Sequence, residues 1–179
     1  NTQYFWKIVA HDDQGNSTEG PVWSFTTEVE PVAFACGDII TDSRDGQTYE
    51  TVLIGDQCWM AENLAWLPSV SPSSDGSDEA SYYYVYDYEG SDVTEAKATQ
   101  NYQDLGVLYN WPAAQNGCPD GWYLPNDSEW KILEGNVDSQ YPVGDSFWDQ
   151  YDYRGFDANK NLKSTSGWND GGNGVDTYG

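Results

Sequence analysis

Ile54-Gly55-Asp56-Gln57-Cys58-Trp59-Met60-Ala61-Glu62-Asn63-Leu64 sets cysteine, tryptophan and methionine side by side directly after a hairpin signal. Upstream, TDSRDGQTYETVLIG (Thr41 to Gly55) reads as two strands around the turn Arg44-Asp45-Gly46-Gln47. Gly46 can take positive φ there, and Thr48 to Ile54 is rich in β-branched and aromatic residues. A short strand over Asp38 to Thr41 leads in, and Met60 to Leu67 is expected to form a short helical turn. A second run, CPDGWYLPNDSEW, spans Cys118 to Trp130. In it Pro119 and Gly121 set a turn, Pro125 stops a strand, and Asn126 or Asp127 caps a helix from near Ser128. Trp130, Leu133 and Val137 repeat at helical intervals through Glu129 to Val137. Trp59 and Trp122 both sit in turn-bounded motifs, so each is expected to be buried and near the other.

These two runs, with VLYNWPAA (Val107 to Ala114) between them, resemble the Fibrobacter succinogenes major paralogous domain. That secreted bacterial module carries a DG hairpin, an IG-x-Q-x-WMAENL run, LYNW and CP-x-GWHLPSDAEW in the same order. One departure is Tyr123, where the family's usual residue is His. The resemblance runs from Asp38 to Gly179 and implies an α+β, C-type-lectin-like mixed fold with short helices and long loops. It also implies an extracellular protein whose chain continues past Tyr178-Gly179, so that 38–179 is a domain truncated at its C-terminal end.

Ahead of it, residues 1–30 alternate apolar and polar. Tyr4, Trp6, Ile8 and Ala10 fall on one face, and Val22 to Thr27 follows as a partner strand after a polar loop. The wording Y-x-W-x-I-x-A…G-x-x-W-S-F-T-T resembles the last two strands of a fibronectin type III domain. A complete sandwich of that kind needs about seven strands and about 100 residues, so residues 1–30 would be a β-hairpin from its C-terminal end. Residues 31–37, beginning at Pro31, read as a linker.

Aromatic residues make up 16% of the 179 residues, far too many for a chain that fails to fold. The net charge of −23 repels duplex nucleic acid and anionic membrane surfaces, and excludes both as partners. It suits secretion, calcium, or neutral glycans stacked on aromatic faces. No apolar run reaches membrane-spanning length. Three cysteines permit one disulfide: the hairpin between Cys36 and Cys58 can return the chain to its start and an exported protein would oxidise the pair, leaving Cys118 for a cysteine beyond Gly179. Three buried thiols is the alternative.

Between the motifs, LPSVSPSSDGSDEAS (Leu67 to Ser81) has almost nothing to bury and reads as a solvated loop. SYYYVYDYEG then alternates at strand period, either as a tyrosine binding platform or as a strand packed on both faces. Val93, Ala96 and Thr99 share a helical face with Asp92 as cap, and Gly106 ends that segment before the strand LYNW. The stretch after Val137 reads as loop.

Catalytic chemistry finds little support. His11 is the single histidine, no GxSxG occurs, and the glycines of Gly167 to Gly174 lack the strand and Lys-Ser of a phosphate loop. Glu62 with Asp127 or Glu129 forms the one candidate carboxylate pair; a separation of about 5–5.5 or 6.5–9.5 Å across an open cleft would suit a glycoside hydrolase. Trp168-Asn169-Asp170 echoes the calcium triplet of sugar-binding C-type lectins, and Asn173 and Asp176 could add oxygens. A plain turn is the competing reading there, as it is for Asp42, Asp45 and Asp56, so no metal site is favoured.

The expectation is therefore a non-enzymatic extracellular module of a bacterial cell surface, used for adhesion or assembly. Its partners would be other copies of itself or other surface proteins, contacted through Tyr4, Trp6, Ile8, Trp23 and Phe25, with a filament as one outcome. Carbohydrate recognition through Trp66, Tyr82, Tyr84, Tyr86, Trp168 and Tyr178 is the rival, and a hydrolase the less favoured third.

Overall fold

A computed structural model describes residues 2–27, 34–168 and 172–175. The chain divides into two compact units, Asn1–Phe34 and Ala35–Gly179. In the first, β1 (Thr2–His11) and β2 (Ser17–Thr27) form an antiparallel ribbon. The partner strand starts earlier than its apolar pattern suggests because the loop is tight. Asp12 accepts the N–H groups of Gln14 and Asn16 and the Asn16 amide, bonds that hold its pKa below the usual carboxylate range. Between the pairs Lys7↔Val22 and Val9↔Glu19, Gly20 and Pro21 oppose Ile8 alone. This is a β-bulge, a position where proline's missing N–H breaks no ladder bond.

The second unit combines small antiparallel two-stranded sheets with short helices, a mixed α+β architecture. β3 (Ile40–Thr41) pairs with β4 (Thr48–Tyr49) around the expected turn, where Gly46 has φ 79°. β5 (Thr51–Ile54) pairs with β6 (Gln57–Met60) through the two-residue turn Gly55-Asp56. Gly55 has φ 59°, and a Cβ there would stand 2.5 Å from the Asn136 amide nitrogen. β7 (Tyr83–Tyr84) pairs with β8 (Leu108–Tyr109). α1 (Val93–Lys97) is capped by Asp92 as expected. A second helix, α2 (Gln100–Leu105), begins instead of a continuation, because the Thr99 hydroxyl accepts the Tyr102 N–H and restarts the helix before Gly106 closes it. α3 (Trp111–Gln115) starts at the Asn110 cap, with Pro112 in its first turn. α4 (Asp127–Val137) starts at a complete capping box between Asn126 and Glu129. A 3₁₀ turn (Ser146–Asp149) and α5 (Ala158–Asn161) are the last helical elements among the described residues.

Several expectations fail for identifiable reasons. Met60 to Leu67 is not helical: Met60 ends β6, and tyrosine hydroxyls satisfy the irregular backbone that follows. Tyr49 accepts the Ala65 N–H at 3.1 Å, Tyr102 donates to the Ala65 carbonyl at 2.8 Å and Tyr109 to that of Trp66 at 2.8 Å. Such bonds remove the need for a helical ladder. No strand leads directly into Pro125, since residues 122–126 have no regular structure. The Leu67 to Ser81 loop is anchored at its start, since Leu67 and Val70 are buried.

Two apolar clusters hold this unit. One gathers Tyr49, Leu67, Tyr83, Val85, Tyr102 and Val107 with their neighbours, and the other gathers Ile54, Leu133, Val137, Trp148 and Ala158. Trp148, 1% exposed, fills the second from a stretch without periodicity, and its indole N–H donates to the Pro142 carbonyl. Trp59 and Trp122 are only half-buried, and the ring beside Trp59 is that of Trp130, 5.2 Å between centroids. Cys36 and Cys58 form a disulfide, which ties the start of the unit to β6. Cys118 is a free, half-buried thiol whose pKa burial pushes up against the opposing charge of Arg44. Among the described residues no helix is long and apolar enough to cross a membrane.

Candidate functional site

Among the described residues, three aromatic surfaces hold the candidate residues. On the ribbon, cross-strand pairing places Tyr4 opposite Phe25 and Trp6 opposite Trp23. Their rings stack at 5.4 and 4.6 Å between centroids. Among the described residues of this unit nothing covers that face: Trp6 is 49% exposed, Trp23 40%, and Tyr4, Ile8 and Phe25 are exposed as well. His11 lies exposed at the end of β1.

The tyrosine run forms a strand of only two residues, ending before the positive φ of Asp87, yet the alternation around it is real. Tyr83 and Val85 point into the core, while Tyr82, Tyr84 and Tyr86 point outward. Tyr82 and Tyr84 stack at 6.4 Å, and the Tyr84 hydroxyl donates to the Asp75 carbonyl. Tyr86 is exposed and makes no ring pair among the described residues. Trp66 does not join this face. It packs edge-on against Tyr83 from the core side, with the Arg44 guanidinium 3.9 Å from its ring centre. Arg44 is itself fixed by a forked bond to the fully buried Asp42, which holds the Asp42 pKa low, and by the Gly117 carbonyl. Asp42 and Asp45 thus serve the hairpin turn.

The third surface is an open groove of about 600 Å³. Its walls come from β5 and β6, the chain just after β6, α2, α4 and the segment after α5. Trp59 and Trp130 meet at an interplanar angle of 43°, with Trp130 43% exposed in the first turn of α4. Trp168, 49% exposed, lines the groove too, and the Lys163 ammonium stands 4.4 Å from its ring. Glu62, Asn63, Gln103 and Asp104 complete the polar rim. Each is oriented by one bond to the fold. Glu62 accepts the Glu50 N–H, Asn63 donates to the Leu105 carbonyl, Gln103 donates to the Lys97 carbonyl, and Asp104 accepts from the Gln100 amide. Because the two amide nitrogens turn onto backbone carbonyls, the rim is rich in acceptor oxygens.

The sequence points to Trp168 in this groove but misses Trp59 and Trp130, which read as core residues. Helical spacing assigned Trp130 to the buried face with Leu133 and Val137. In the first turn of α4, however, the indole overhangs the end of the core. The candidate carboxylate pair is divided among separate tasks. Glu62 lines the groove, Asp127 pairs with Lys131 at 2.8 Å, and Glu129 accepts the Tyr123 hydroxyl and the Asn126 N–H. Those bonds lower the pKa values of Asp127 and Glu129, opposite to the shift a general acid needs. Among the described residues no three His, Cys, Asp or Glu side chains group as metal ligands. Of the calcium candidates, Asn173 caps the Trp168 N–H, and Asn169, Asp170 and Asp176 lie outside the described residues, as does Tyr178.

Comparison with known proteins finds one family. The sequence model of the Fibrobacter succinogenes major domain matches residues 52–177, which takes in the groove's Trp59, Trp130 and Trp168. No curated protein and no solved structure matches the chain.

Proposed function

The chain belongs to the Fibrobacter succinogenes major domain family, and from that premise we propose that it is a non-enzymatic module of the bacterial cell surface that assembles with further copies of itself. The uncovered aromatic ladder Tyr4–Phe25, Trp6–Trp23 carries this reading. A two-stranded ribbon is marginal in water by itself, and a flat aromatic face beside open strand edges is a template for another ribbon. Charge selects the place. The whole chain carries −23, so copies repel, but residues 2–27 hold Lys7 against only Asp12, Asp13 and Glu19. Two such acidic chains can therefore approach at low electrostatic cost through that segment. A contact of this kind whose rotation does not close propagates into a filament. The disulfide fits an oxidising, extracellular location. In this reading the ribbon is fibronectin-like, a neighbouring copy supplies the cover that the other strands of a sandwich would otherwise give it, and the second unit is lectin-like.

Light scattering on the full chain over a concentration series tests the proposal. Association should grow with concentration and disappear in a Trp6→Ser, Trp23→Ser double variant. A wild-type chain that stays monomeric throughout removes the reading.

Carbohydrate recognition is a second reading, favoured by the outward Tyr82, Tyr84 and Tyr86 and by the tryptophan groove. Glycan binding by the full chain tests it independently of self-association.

A further inference from the structure

We infer that the Trp59, Trp130 and Trp168 groove is a calcium-independent binding site for a neutral oligosaccharide. The inference rests on the carbohydrate-recognition reading and moves its site away from the tyrosine run. Sugar rings have an apolar C–H face and a rim of hydroxyls, so they need flat aromatic surface beside hydrogen-bond acceptors. The groove supplies both. Trp59 supports Trp130 from one side at 5.2 Å, which fixes the exposed indole without covering it, and Trp168 adds a second exposed indole in the same groove. Fixing the rings in advance lowers the ordering cost of binding.

The rim decides the class of ligand. Glu62 and Asp104 bring negative charge to a chain already at −23, so acidic sugars and phosphorylated ligands are repelled. A cationic ligand meets the Lys163 ammonium, which already occupies the neighbourhood of the Trp168 ring at 4.4 Å. A purely apolar ligand would leave the carboxylate and amide oxygens of the rim desolvated and unpaired. Neutral hydroxyl donors satisfy those acceptors, and the anchoring of Glu62, Asn63, Gln103 and Asp104 to Glu50, Leu105, Lys97 and Gln100 holds them in place. The open form of the groove suits a chain that passes through it, so an internal stretch of a polysaccharide fits as well as a free end.

The test is calorimetric titration of the full chain with hexamers of β-1,4-linked glucose, xylose, mannose and N-acetylglucosamine. At least one should bind, equally well in EDTA. Trp130→Ala and Trp168→Ala should each weaken it by about tenfold or more, while Trp130→Phe keeps most of the affinity and shows that the fold is intact. Tyr82→Ala and Tyr86→Ala should leave it unchanged. Loss in the tyrosine variants with none in the tryptophan variants overturns this site and keeps the recognition reading. Absence of binding to every hexamer at millimolar concentration overturns both. Loss in EDTA, or binding of a lysine-rich peptide alone, overturns the inference as well.

Discussion

The Asp138 carboxylate accepts the backbone N–H of Ala158 at 3.1 Å, and so ties the end of α4 to the start of α5. The same side chain receives the N–H groups of Gln140, Tyr141, Phe156 and Asp157. Burial alone would push its pKa up, but these donors outweigh it and bring the pKa down to about 2. A carboxylate whose pKa is lower in the fold than in the unfolded chain stabilises the fold above the unfolded value, about 3.9. That stabilisation fades as pH falls towards the folded value. Acid titration of the melting temperature should show a loss concentrated between about pH 4 and 2, on the order of 2 kcal/mol from this group. Asp138→Asn should lower stability at neutral pH and flatten that part of the curve; an unchanged acid limb would show that Asp138 does not carry it.

Arg44 is expected to be indispensable to its unit. Arg44→Met leaves Asp42, which has no exposed surface, as an unpaired buried charge, and should cost about 3–5 kcal/mol. Replacing Asp42 with Asn as well should recover part of the loss, because the stranded charge is then gone. Chemical denaturation of the single and double variants measures both.

Reduction of the Cys36–Cys58 disulfide, which spans a sequence separation of 22, should lower stability by about 3 kcal/mol. Comparing melts with and without reductant checks this. A Cys118→Ser control should behave as the parent, because Cys118 is a free thiol.

Tryptophan truncations should separate by burial. Trp148→Ala should cost about 3–5 kcal/mol. Trp59→Ala and Trp122→Ala should cost clearly less, since both rings keep water contact. Equal losses across the three would place Trp59 in the core rather than in the groove wall.

Local chemistry was the legible part of this sequence. The Gly46 turn, the Asp92 and Asn126 caps and the Cys36–Cys58 pair are set by side-chain types near one another in the chain or by a short closed loop. The Met60 to Leu67 helix failed because its competitor was distant: the hydroxyls that hold Ala65 and Trp66 belong to Tyr49, Tyr102 and Tyr109. Trp148 carried no periodic signal, since it enters the core from a single 3₁₀ turn. The groove was hidden for a related reason. An aromatic residue at helical spacing reads as core, and only the end of the core, reached at Trp130, determines how much of the ring stays wet.

The tyrosine bonds to Ala65 and Trp66 also bear on the order of folding. They bridge sequence separations of 16, 37 and 43 residues, so no local segment can make them early. The backbone around Ala65 must wait until β4, α2 and β8 have all arrived, and it then closes the structure like a keystone. Its amide should therefore exchange with solvent only when the whole unit opens, on the same timescale as the most protected amides of α4.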